Sequence, residues 1–115
     1  MYLKTSNVDP AKEMLVSVVN VNPNDSLAWQ HLGFCYLRLK DTDRSVQAYE
    51  RAIKIDRNDW EAHKGLGVAY ALKASETKDD SYKLKAVDSW RKSLNIKPDQ
   101  STRERLIKYI EAYSK

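Results

Sequence analysis

The side chains able to do chemistry are few. The 115-residue chain carries two histidines, His31 and His63, one cysteine, Cys35, and serines scattered over turn-like positions. A metal site needs His, Cys or acidic side chains converging at ligand spacing. No cysteine or acidic set accompanies either histidine at such a spacing. The serines have no paired base motif to activate them. Cys35 lies between Leu32 and Tyr36 in an apolar helical pattern, so the expectation is a small buried residue and not a nucleophile. Neither G-x-x-x-x-G-K-[ST] nor G-x-G-x-x-G occurs, so no phosphate-cradling loop is predicted. The reading is of a chain with no catalytic residues, no metal and no cofactor.

Charge gives the next possibility. The net charge is +4, with seven Lys/Arg against four Asp/Glu in residues 73–97 and four against two in 101–115. Lys83, Lys85, Arg91, Lys92 and Lys97 form a basic stripe close to Trp90. That stripe suits an acidic partner better than nucleic acid, because Asp88 interrupts it and the overall charge is low. No apolar run approaches the roughly 20 residues of a membrane helix. A lone cysteine excludes an intrachain disulfide.

The elements that position these residues come from an internal repeat. Trp29-x-x-Leu32-Gly33-x-x-Tyr36 returns 34 residues later as His63-x-x-Leu66-Gly67-x-x-Tyr70. Ser45, Tyr49, Ala52 and Ile53 follow the first block, and Ala86, Trp90, Ser93 and Leu94 follow the second. Ala11, Leu15, Val18 and Val19 precede both at the same phase. Gly33 and Gly67 sit mid-helix, where glycine costs about 1 kcal/mol relative to alanine. Two glycines at one phase predict close helix–helix approach, with Leu32, Tyr36, Tyr49 and Ile53 filling the space between paired helices.

This pattern resembles the tetratricopeptide repeat (TPR) family, whose 34-residue helix–turn–helix carries W-x2-L-G-x2-Y, then A-x3-F, then P. Trp29, Leu32, Gly33 and Tyr36 match the first block. Tyr49 and Trp90 stand at the Phe position, Ala11 and Ala86 at the small position, and Pro23 and Pro98 at the final proline. His63 at the Trp position, Ser45 at the small position and Arg57 at the proline depart from it. The resemblance implies an all-α fold, a short right-handed solenoid of TPR hairpins.

The register divides the chain into a partial repeat (1–24), a repeat (25–58), a repeat with an insertion (59–99) and a C-terminal capping helix (100–115). Tyr2-Leu3-Lys4 aligns with Tyr36-Leu37-Arg38. The expectation is therefore a piece of a longer repeat protein, with a degenerate first repeat as the alternative. Helices are predicted at 1–6 (a remnant), 9–21, 26–39, 43–56, 59–74, 81–96 and 101–114. Asp9 is the expected N-cap before Pro10, and Asn58…Glu61 and Ser101…Glu104 have capping-box spacing. Tyr36 to Ser45 is nine residues but Tyr70 to Ala86 is sixteen. Seven extra residues are close to two helical turns. They predict a hairpin longer by one turn on each arm with a polar tip at 76–80, or else a surface loop. The last helix has a polar side (Arg103, Glu104, Lys108, Glu111) and an apolar one (Leu106, Ile107, Ile110), as a cap requires.

Solenoids present a concave face built from the first helix of each pair. The resemblance implies that this face holds a partner segment. The signature's phase places Gln30, Phe34, Leu37 and Arg38 there from the first full repeat, Lys64 and Val68 from the second, and Arg105 and Tyr109 from the last helix. Ala71, Leu72, Thr102 and Tyr113 share these stripes. Phe34, Leu37, Val68 and Tyr109 suit apolar side chains, and Arg38, Lys64 and Arg105 suit carboxylates. The expected partner is a protein or peptide segment with apolar and acidic residues. Phe34 and Val68 occupy positions where some family members carry Asn to grip chaperone C-termini, so that guest is not expected. The alternative function is self-assembly through an apolar N-terminal end near Leu3, Leu15, Val18 and Val19.

Overall fold

The computed structural model describes residues 5–114. Six helices follow one another: α1 (Thr5–Val21), α2 (Ser26–Arg38), α3 (Thr42–Ile55), α4 (Trp60–Thr77), α5 (Ser81–Ile96) and α6 (Arg103–Tyr113). Each packs on the next, and α2 also packs on α4. The chain is an all-α solenoid. The remnant at Tyr2-Leu3-Lys4 and the Leu3 end lie outside the described residues.

Asp side chains start three helices. Asp25, Asp41 and Asp59 accept hydrogen bonds from the backbone N–H of Ala28 (3.1 Å), Arg44 (3.3 Å) and Ala62 (3.0 Å). Each satisfies an N–H that lacks a helical partner. The cap of α4 is thus Asp59 and not Asn58. The predicted box at Ser101…Glu104 is also absent: the N-cap of α6 is Thr102, which makes no capping hydrogen bond. Asp9 caps nothing, because α1 runs from Thr5 straight through Pro10. Pro10 falls in the second turn, where its missing N–H forfeits the bond to the Ser6 carbonyl. The C-terminus of α2 closes with Lys40 at φ 63°, while the N–H groups of Lys40 and Asp41 donate to the carbonyls of Leu37 (3.0 Å) and Tyr36 (2.9 Å). This double bond pattern satisfies the last carbonyls of a helix.

The core lies between helices in three steps. Val19, Ala28, Leu32 and Ala48 join α1, α2 and α3. Tyr49, Ala52, Ala62 and Leu66 join α3 and α4 over α2. Ala86, Trp90 and Leu106 join α5 and α6. The glycines act as anticipated at the two signature positions. A Cβ on Gly33 would lie 2.7–2.8 Å from three ring atoms of Tyr49, and one on Gly67 would collide with the Trp90 indole. Tyr36 and Ile53 only partly bury. In α6 it is Leu106 that is buried, at 2 % exposure, and Ile110 packs beside it. Ile107 is half-buried and stays outside that cluster, so the apolar side of the cap is Leu106–Ile110–Tyr113.

The seven extra residues are all helical. α4 has 18 residues against 13 in α2, and α5 has 16 against 14 in α3. Both hairpins keep a three-residue connection, 39–41 and 78–80. The two arms lengthen unequally, and the polar tip contracts to 78–80.

Candidate functional site

The phase of α4 turns Lys64, Gly65 and Val68 to one side of the helix and His63, Leu66 and Tyr70 to the other. The first set faces a groove of about 510 Å3 bounded by α2, α4 and α6. Gln30, Phe34 and Leu37 enter it from α2, and Thr102, Arg105 and Tyr109 from α6 or its N-cap. Seven of the eight anticipated residues therefore line one cavity. Arg38 is not among them: its guanidinium lies 5.8 Å from the centre of the Phe34 ring, outside the cavity wall.

Several polar groups in the groove are already engaged. The Gln30 amide donates to both carboxylate oxygens of Asp59 (2.8 and 2.9 Å), tying α2 to the start of α4. Lys64 Nζ donates to the Thr102 hydroxyl at 3.2 Å and stands 5.1 Å from the centre of the Trp60 ring. Arg105 is exposed and forms no ion pair among the described residues. Phe34, Val68 and Tyr109 are 52 %, 36 % and 40 % exposed. The arrangement is apolar ground facing water, with one unpaired guanidinium at its α6 wall.

The groove contains residues that sequence patterning did not assign to it: His31, Tyr49, Glu61 and Leu106. Tyr49 reaches the floor from α3 because Gly65 has no side chain. A Cβ on Gly65 would strike the phenol ring. That glycine was the available signal. Burial pushes the Tyr49 hydroxyl well above its usual pKa, with the nearby Cys35, Asp59 and Glu61 acting in the same direction, so it remains a neutral donor.

The remaining candidates pack. Cys35 is buried, and burial raises its thiol pKa. His63 is 7 % exposed and its Nε2 lies 3.0 Å from the Arg57 carbonyl. Trp90 is 2 % exposed, held edge-on by Tyr113 (5.3 Å) and tilted by Tyr109 (5.5 Å). It offers no open stacking face. The basic stripe also disperses: Lys83 pairs with Asp80, Lys92 with Asp88 and Lys97 with Asp99. Among the described residues no three His, Cys, Asp or Glu gather closely enough to hold a metal, and no helix is long and apolar enough to cross a membrane.

Comparison with known proteins fits this geometry. The tetratricopeptide repeat family profile matches residues 26–59. Anaphase-promoting complex subunit 3 of Schizosaccharomyces pombe is 36 % identical over 56 residues, which cover 49 % of this chain and 8 % of that protein. This chain thus aligns with only a small part of that relative. Among solved structures, the Arabidopsis OM64 TPR domain superposes with a TM-score of 0.82 at 16 % identity, over 94 % of this chain and 84 % of that one. The second TPR domain of human RPAP3, in complex with an HSP70 peptide, gives 0.79 at 14 %, over 96 % and 83 %. The Yersinia enterocolitica translocator chaperone SycD gives 0.82 at 12 %, over 95 % and 73 %. With the repeat matched at 26–59 and the six helices superposing on TPR domains over 94 % and 96 % of this chain, the chain has the fold of a tetratricopeptide repeat solenoid.

Proposed function

We propose that the chain is a non-catalytic protein-interaction scaffold that binds a partner segment in the groove between α2, α4 and α6. One observation carries this reading: exposed Phe34, Val68 and Tyr109 line a single cavity beside the unpaired Arg105. Apolar side chains of a guest gain by leaving water there. A guest carboxylate beside them pairs with Arg105, in a site where Lys64 is already steadied by Thr102. The guest is therefore an apolar segment with an acidic residue. The HSP70 peptide complex of human RPAP3 shows that a domain of this fold can hold a peptide. The register supports a division into repeats at 25–58 and 59–99, between a partial repeat at 1–24 and the closing helix at 100–115.

The test is a calorimetric titration of the full chain with blocked acidic–apolar peptides. Saturable binding that weakens at least about tenfold in Arg105→Glu supports the reading, since a reversed rim charge both loses a pair and adds a repulsion. Binding indifferent to Arg105→Glu and to Tyr109→Asp overturns it.

A second reading is self-assembly through the N-terminal end. Of the residues expected there, Val19 is buried and Leu15 and Val18 pack against its cluster, so they are not free to pair. Its own observation is instead that Met14, Val21 and Leu27 are 69 %, 88 % and 56 % exposed on and beside α1. Sedimentation equilibrium over a hundredfold range of concentration separates the two. A defined dimer favours assembly, and a monomer throughout removes it.

A further inference from the structure

A second cavity lies on the other side of α4. The Cα traces of α3 and α5 nowhere come within 8 Å of each other among the described residues, so a cleft opens between them. It has a volume of about 590 Å3 and meets a second hollow of about 470 Å3 at Ile53, Lys54, His63 and Lys92. Its floor is Ile53, Leu66 and Tyr70. On the α5 wall Leu84 is 67 % exposed, although packing within the solenoid makes no use of it. The corresponding position in the first hairpin is Asp43, so no repeat rule calls for leucine here.

Charge defines the rest. Two carboxylates face the cleft, and both are taken: Glu50 accepts the Tyr70 hydroxyl at 2.8 Å and Asp88 pairs with Lys92 at 3.1 Å. The cations are in excess. Lys54 on the α3 wall, Lys85 on the α5 wall and Arg57 at the end have no carboxylate partner among the described residues. Lys85 rests instead over the rings of Tyr70 (5.7 Å) and Tyr82 (5.3 Å). Cations on both walls of an apolar floor complement a segment whose apolar side chain is flanked by carboxylates.

We propose that the cleft between α3 and α5 is a second docking site, for an acidic peptide segment of a partner protein anchored by an apolar side chain against Ile53, Leu66 and Leu84. Nucleic acid fits it less well, because Glu50 and Asp88 stand among its cations and only three of these lack a carboxylate partner among the described residues. None of the residues proposed to bind in the concave groove lines this cleft. The two sites therefore stand or fall separately.

The test is a titration of the 15N-labelled full chain with a blocked eight-residue peptide of leucine and glutamate. Amide shifts at Ile53, Leu66, Tyr70 and Leu84 are expected, read apart from those at Phe34 and Tyr109. Lys54 and Lys85 are exposed, so Lys54→Glu/Lys85→Glu leaves the fold intact. It should weaken the cleft response at least about tenfold while the groove response is unchanged. Leu84→Asp, also at an exposed position, should do the same. Absence of cleft shifts at about 1 mM peptide overturns the proposal. So does a cleft response unchanged in the double variant, or displacement of the peptide by an equal concentration of single-stranded oligonucleotide.

Discussion

The α2–α3 and α4–α5 hairpins are two solutions to one packing problem. Both turn through three residues, and both place a lysine in the left-handed region, Lys40 at φ 63° and Lys78 at φ 61°. Both press an aromatic from the second arm onto glycine in a first arm. Tyr49 lies over Gly33 and Gly65, and Trp90 over Gly67. They differ in length, and the extra turns of α4 are put to use. The Thr42 hydroxyl, at the start of α3, donates to Glu76 at 2.8 Å, and Lys73 pairs with Asp43. The longer arm of the second hairpin thus reaches back to the tip of the first. The extra residues lie at the tip, five on α4 and two on α5, so the side chains below them keep their phase. The insertion lengthens the hairpin without moving its core.

The comparison breaks most severely at Trp90. This ring joins α4, α5 and α6 at the C-terminal end of the array, whereas Tyr49 is enclosed between α2 and α4. Trp90→Ala should cost about 3–5 kcal/mol, as large core truncations do. It should also strip amide-exchange protection from α6 before α2. Equal loss of protection in both helices would show that the hairpins unfold as one unit and that the asymmetry has no energetic content.

The glycines sharpen the same contrast. Gly67→Ala gains up to about 1 kcal/mol in helix propensity, but its Cβ meets the indole. Trp90 is pinned by Tyr109 and Tyr113 and cannot retreat. Overpacking costs about 1–3 kcal/mol, so a net loss near 1 kcal/mol is expected in a thermal or denaturant melt. Trp90→Ala removes the colliding Nε1 and Cδ1 altogether. In that background the cost of Gly67→Ala should vanish, and a double-mutant cycle with no coupling would refute the contact.

The repeat made the helix faces legible, and with them most of the groove. Side-chain phase is a local property, so Lys64, Val68 and Tyr109 came together as their spacing implied. Helix ends were harder, because neighbouring polar residues compete for one cap. Asn58 and Asp59 both suit the role, and only the geometry gives it to Asp59. Pro10 looked like a helix start, yet α1 carries it inside. The partners of Gln30 and Lys64 were not legible, since Asp59 lies 29 residues away and Thr102 lies 38 away. Tyr49 belongs to a helix outside the concave face and enters only through the gap at Gly65. The cleft between α3 and α5 depends on how far two helices splay, which no periodicity encodes.

A smaller effect tests whether the extension of α4 is fastened or merely long. Thr42 is 5 % exposed and its hydroxyl donates to Glu76. Thr42→Val keeps the shape and removes the bond, at an expected cost of about 1 kcal/mol. Amide exchange in residues 73–77 should quicken while that in α2 holds. Unchanged exchange at 73–77 would mean the extra turns need no contact with the first hairpin.

The smallest expected effect separates the two turns by pH. The residue preceding α5, Asp80, makes no capping hydrogen bond. One step earlier, Asp79 accepts the Ser81 hydroxyl at 2.8 Å and the Ser81 N–H at 3.0 Å. These bonds, the hydroxyl's first, hold the Asp79 carboxyl below its ordinary value of 3.8. A carboxylate whose folded pKa is depressed stabilises the fold fully above its unfolded pKa and loses that contribution as pH falls through the folded one. The Ser81 amide resonance should therefore move at a pH below 3.8, together with faster exchange in the first turn of α5. Asp79→Asn keeps an acceptor oxygen but cannot titrate, so the shift should disappear while α5 still starts at Ser81. A Ser81 amide that titrates at the ordinary carboxylate value, or persists in Asp79→Asn, would remove Asp79 from the role of cap and leave the second turn held by Lys78 and the backbone alone.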